Sequence, residues 1–197
     1  MTITTHRLYS EMQRIRGKDK YPDEQLEAYL VERIFPRTTE DLTLRLSNVV
    51  AAFYGFILEH VGERFGWKAM DDISRTVFSE LGQLKTREAL ERGVDVPRDS
   101  RAPTLVFITA VFTASPEYNF EIVEYTPEKT VLRVCGISRY DRIAKKLDIE
   151  QHLTWPVLTP FFEGVARELG IRCGIEIDGR GLGPEGQCDC YFTFTLQ

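Results

Sequence analysis

Residues 171–196 read IRCGIEIDGRGLGPEGQCDCYFTFTL, and three of the chain's four cysteines lie on this stretch. Cys173, Ile175 and Ile177 share one face of an extended chain, with Arg172, Glu176 and Asp178 on the other. Further on, Cys188, Cys190, Phe192, Phe194 and Leu196 alternate with Asp189, Tyr191, Thr193 and Thr195. Period-two alternation predicts two half-buried antiparallel strands. The segment between them, 179–186, holds four glycines and Pro184, the composition of a turn. Cys173, Cys188 and Cys190 are therefore expected to be mostly buried on one sheet face.

Two roles are open to these thiols. Free cysteine buries readily as a small hydrophobe. Alternatively, Cys173, Cys188 and Cys190 hold a metal across adjacent strands. Tetrahedral zinc takes four ligands, commonly from paired C-x-x-C knuckles. Here the pair is C-x-C, the third cysteine lies fifteen residues upstream, and no histidine follows. No cofactor is therefore expected, and zinc is the alternative left open.

Working back from this hairpin, residues 159–169 place Phe161, Phe162, Val165 and Leu169 at helical spacing, and Gly170 stops the helix. A basic short helix is expected over 138–147. Strands over 119–125 and 130–137 flank a Thr126–Lys129 turn. Segment 104–113 is apolar nearly all round and follows Pro103, which favours a helix over a strand. Two long helices, 41–65 and 68–92, meet at Gly66, with Thr38–Asp41 as a capping box. Leu46, Val49, Val50, Phe53, Ile57, Val61 and Phe65 on the first, and Ile73, Val77, Leu81 and Leu84 on the second, are expected to face the core. The expected architecture is α+β: a four-stranded antiparallel sheet of two hairpins, covered by long helices. Residues 1–40 form a helical extension with a thin apolar stripe, and 41–197 one small-molecule-binding domain.

The chain has 197 residues, 43% hydrophobic and 28% charged, as expected of a soluble globular protein. A net charge of −5 argues against a nucleic-acid partner, whose phosphates need neutralising. The N-terminus lacks the apolar segment of a signal peptide, and the run Val49–Leu58 is too short to span a bilayer. A cytoplasmic location with reduced thiols follows, with no membrane partner. The expected partner is a small molecule, and the extension offers a surface for a homodimer.

No P-loop, G-x-S-x-G, dinucleotide-binding fingerprint or H-E-x-x-H occurs. Glu163 stands in the first turn of its helix beside phenylalanines, where apolar surroundings would raise its pKa and suit it to proton transfer. Helix-start stabilisation explains it equally well. His152, in a loop before Trp155, is a second acid–base candidate, and Cys135 a candidate nucleophile. Tyr54, Trp155 and Arg133 are candidates to hold substrate. Glu163, Tyr54 and His152 are expected around one pocket between sheet and long helices.

The long helices ending in ERFG (63–66), the strand LRVCGIS (132–138), the helix FFEGVAR (161–167) and the closing Cys-x-Cys-x-Phe strand resemble the L-2-amino-thiazoline-4-carboxylic acid hydrolase-like family of small bacterial proteins. The resemblance covers roughly Asp41 to Leu196 and implies ring hydrolysis of a small heterocycle in biosynthesis. The tail is also similar to the 4-vinyl-reductase-type ligand-binding domain, whose late cysteines bind zinc beside an aromatic-ligand pocket. Gly186 through Cys190 to Phe192 match that closing strand and Cys173 its upstream cysteine; the loop here is longer and Cys188 is extra. Two functions follow: a hydrolase-like enzyme acting on a small organic acid or heterocycle, or a non-catalytic binding or sensing domain with structural or metal-bound cysteines.

Overall fold

The structure is a computed structural model; it describes residues 7–16, 19–180 and 186–197, without the side chains of 113, 114 and 180. Two compact units divide at 46/47. In the first, α1 (Arg7–Arg16) precedes α2 (Glu24–Tyr29), which runs on as a wider π turn, Leu30–Ile34. Asp23 caps α2 by accepting from the Leu26 N–H at 2.8 Å. Tyr9 stacks on Phe35 at 5.8 Å between ring centroids, and Leu8 and Val31 are buried.

Helix α3 (Thr39–Phe65) runs from the first unit into the second. It is followed by α4 (Trp67–Glu91), α5 (Ala102–Ala114), the hairpin β1 (Tyr118–Tyr125) and β2 (Lys129–Ile137), α6 (Arg139–Lys146), α7 (Thr159–Leu169), and the hairpin β3 (Cys173–Arg180) and β4 (Gln187–Leu196). The fold is α+β. The sheet is antiparallel throughout, in the order β1-β2-β4-β3, so the hairpins join through their second strands.

The alternation of β4 holds: Cys190, Phe192 and Phe194 are buried, and Val134, Leu132 and Thr130 of β2 lie opposite them on the same face. Helix α7 covers this face. Phe162 packs 4.8 Å from Phe192 and 5.0 Å from Phe194, ring centroid to centroid. A third layer, α4, crosses α7 at a contact made by two glycines. A Cβ on Gly82 would stand 2.1 Å from the Phe161 carbonyl oxygen, and one on Gly164 2.0 Å from that of Ser79. Only glycine lets the two backbones approach this closely. The turn expected over 179–186 lies largely outside the described residues, at 181–185.

The long helices turn the other way from the sequence expectation. In α3 the buried positions are Ser47, Ala51, Gly55, Leu58 and Gly62; in α4 they are Met70, Ser74, Phe78, Ser79, Gly82, Thr86 and Ala89. Leu46, Val49, Val50, Phe53, Ile57 and Phe65 are exposed, as are Ile73, Val77 and Leu84, while Val61 and Leu81 are half-buried. Burial of apolar side chains is a one-way rule, and small residues permit closer helix packing than large ones. The wide apolar stripe of α3 therefore marks its outer surface.

Candidate functional site

The sheet register separates the cysteines. Cys173 pairs with Leu196, whereas Cys190 pairs with Gly179, six residues away along β4. At about 3.3 Å per residue this is roughly 20 Å, so Cys173, Cys188 and Cys190 do not share one metal ion. Cys173 and Cys188 are half-buried rather than buried, each lying near the end of its strand. No group of three or more metal-ligating side chains occurs among the described residues.

Cys188 and Cys190 are close neighbours. They project from the same face of β4, two residues apart, and each thiol influences the ionisation of the other. The neighbouring Cys190 thiol holds the Cys188 thiol below its ordinary pKa, overcoming burial and the nearby charges of Asp141 and Asp189. Cys188 beside it, with burial, pushes the Cys190 thiol up.

Three chain segments close around the pair. The start of β1 brings Tyr118, which is buried and whose phenol is pushed up by burial first and by the charge of Cys188 second. The end of β2 leads into α6 through Ser138, whose N–H donates to the Gly186 carbonyl at 2.9 Å. Ser138 also caps α6, accepting from the Asp141 N–H at 3.3 Å. Asp141 is buried with its carboxyl pKa raised by desolvation, and Lys145 stands 3.1 Å away. The loop after residue 152 supplies Trp155 and Pro156, joined by a cis peptide bond. Thr154 ties this loop to α4, donating to Asp71 from its N–H at 2.6 Å and its hydroxyl at 2.9 Å. Trp155 lies over Gly179, where a Cβ would stand 2.7 Å from the indole and 3.5 Å from the Cys190 sulfur. Tyr118, Ser138, Trp155, Pro156 and the two cysteines wall a cavity of about 10 Å³, with Val134, Val157, Leu158 and Phe192 as its apolar lining. That is room for roughly one water molecule.

Of the residues singled out from sequence, Trp155, Cys188 and Cys190 lie in this site. Tyr54 is not in its wall: its ring meets Tyr140 edge-on at 5.1 Å and its hydroxyl shares a 2.8 Å hydrogen bond with Ser74. The other candidates lie elsewhere. Glu163 has 42% of its side chain exposed, in an open groove between α4 and α7, 3.7 Å from Arg75. The apolar surroundings expected for it are absent. His152 stacks flat on Trp67 at 4.3 Å, away from the Glu163 groove, which Arg75, Ser79 and Arg167 line. Cys135 lies opposite Asp189 on the outer sheet face. Arg133 is on that face too, donating to Asp189 at 2.9 and 3.0 Å and to Glu121 at 3.3 Å.

Sequence reasoning missed Tyr118, Ser138 and Asp141. The pattern Ser138-x-x-Asp141 at the start of a short helix is a capping signal that could have located the turn. Nothing local to Tyr118 could have located it, because the sheet register alone brings it to Gly136 and Cys188. No protein-family model, curated protein or solved structure matches the chain.

Proposed function

We propose that the chain is a small-molecule enzyme of hydrolase-like chemistry, with Cys188 as its nucleophile and a small organic acid or heterocycle as its substrate. The observation that carries this reading is the position of Cys188, a half-buried sulfur in the wall of an aromatic-lined cavity, where the adjacent Cys190 thiol favours its thiolate. The thiolate attacks an electrophilic carbonyl or ring C=N carbon, forming an S–C bond. The C–N or C–S bond to the leaving atom breaks, and that atom takes a proton from water. Water then cleaves the covalent intermediate and releases Cys188. Entry of a substrate requires the wall of the site to open, since the cavity holds about one water. The resemblance of the closing strand to heterocycle hydrolases agrees with this chemistry.

The test is a turnover screen over small thioesters, cyclic amides and thiazoline carboxylates. Cys188→Ser should abolish turnover of any substrate found, and Glu163→Gln should retain it. Undiminished turnover by Cys188→Ser would exclude this nucleophile. The small cavity favours a second reading, a non-catalytic binding domain; a compound that raises the Tm without being consumed would support it.

A further inference from the structure

The outer face of α3 carries a continuous apolar stripe in the second unit. Phe53, Phe56 and Phe65 are 66, 50 and 74% exposed, and Val49, Val50 and Ile57 about half. A phenylalanine has about 150–250 Å² of surface to bury, so the three rings present roughly 400 Å². A stable interface buries about 800 Å² on each partner. The three aliphatic residues of α3, with exposed Ile73, Val77 and Leu84 on α4, supply apolar area toward the rest. The largest patch on an ordinary monomer is about 300–600 Å² and often functional; the three rings alone reach that range and the aliphatic residues add to it, which marks this face as a candidate interface.

We propose that the occupant is a second copy of this chain, docked α3 against α3 in antiparallel orientation about a two-fold axis at Phe53. The stripe is near-palindromic. Val49 and Val50 stand four and three residues before Phe53; Phe56 and Ile57 stand three and four after it. An antiparallel two-fold at Phe53 sets Val49 against Ile57 of the other copy, and Val50 against Phe56. Small then meets large across the interface, as a self-complementary contact requires. Charge separates this occupant from a membrane. Helices that lie on lipid surfaces carry lysine and arginine along their polar face. Between residues 47 and 65 the only such residue is Arg64, against Glu59 and Glu63, and the whole chain carries −5. By length and composition α3 could also cross a bilayer, so a vesicle arm belongs in the test.

The experiment is sedimentation of the full chain and of Phe53→Asp. The wild type should sediment as a dimer, and the variant should dissociate at least about 100-fold more readily. Phe53 is exposed, so the variant should keep the wild-type circular dichroism and Tm. Phe53→Cys keeps the test independent of that variant's folding. Under mild oxidation it should crosslink to a covalent dimer, and the wild type, with its four native cysteines, should not. A wild type that stays monomeric at high concentration, a dimeric Phe53→Asp, or a Phe53→Cys that fails to crosslink would overturn the proposal. Monomeric wild type co-sedimenting with phosphatidylcholine vesicles would overturn it in favour of a membrane surface.

Discussion

Cys190 stands two residues after Cys188 on the same face of β4, and this proximity moves the two thiols in opposite directions, Cys188 down and Cys190 up. The consequence for the variant Cys190→Ala is direct. With the Cys190 thiol gone, burial and the charges of Asp141 and Asp189 act unopposed, so the Cys188 pKa rises. Alkylation of Cys188 at neutral pH should slow several-fold, followed by mass mapping. Stability should fall by about 1 kcal/mol, the usual cost of a modest core truncation.

The glycine contact between α4 and α7 makes a second prediction. In Gly164→Ala the new methyl group meets the Ser79 carbonyl at 2.0 Å, and backbone cannot rotate aside as a flexible side chain can. Forcing the two helices apart should cost about 3 kcal/mol, the upper end of ordinary overpacking. A urea melt reads this as a fall in the unfolding midpoint at constant slope. An unchanged midpoint would mean that the helices do not approach this closely.

Phe162 and Glu163 are adjacent on α7 and should behave in opposite ways. Phe162 is fully buried against Phe107, Phe161, Phe192 and Phe194, and Phe162→Ala should cost about 3–5 kcal/mol. Glu163 stands in an open groove, and its ion pair with Arg75 at 3.7 Å is exposed on both sides. Glu163→Gln should change stability by no more than about 0.5 kcal/mol. The comparison is two denaturant melts; a large effect at Glu163 would contradict the geometry.

Asp99 supplies a pH-dependent term. Arg101 donates to it from Nε and Nη2 at 3.0 and 2.7 Å, holding its carboxyl below the usual range. A carboxyl lowered in the folded state binds fewer protons there than in the unfolded chain. Its stabilisation is therefore full above the ordinary carboxylate pKa and is lost as pH falls through the folded value. Asp99→Asn should be less stable than wild type by about 1 kcal/mol at pH 7. The difference should shrink toward zero in strong acid. A difference that grew on acidification would have the wrong sign.

The sheet and the helix covering it were legible from sequence because alternation and helical spacing report burial directly where side chains are large on one face and polar on the other. Phe192, Phe194, Phe161 and Phe162 are of that kind. Helix α3 was not legible in the same way. Its inner face is built of Ser47, Ala51, Gly55 and Gly62, which no hydrophobicity pattern singles out, while Phe53 and Ile57 face outward. The separation of Cys173 from Cys190 was within reach, since the first residues of one strand in a hairpin must pair with the last of the other. The site itself was less so. Tyr118, Ser138, Trp155 and Cys188 come from four separate segments, and only the sheet register and the loop tied to Asp71 bring them together.

The central claim is that Cys188 is the activated thiol, and its alkylation as a function of pH tests this most directly. Iodoacetamide labelling of the full chain, read peptide by peptide, should show Cys188 reacting with a midpoint below the ordinary thiol value of about 8.5. Cys173, whose thiol burial pushes up, should label only at higher pH. A Cys188 midpoint at or above that of Cys173 would contradict the account.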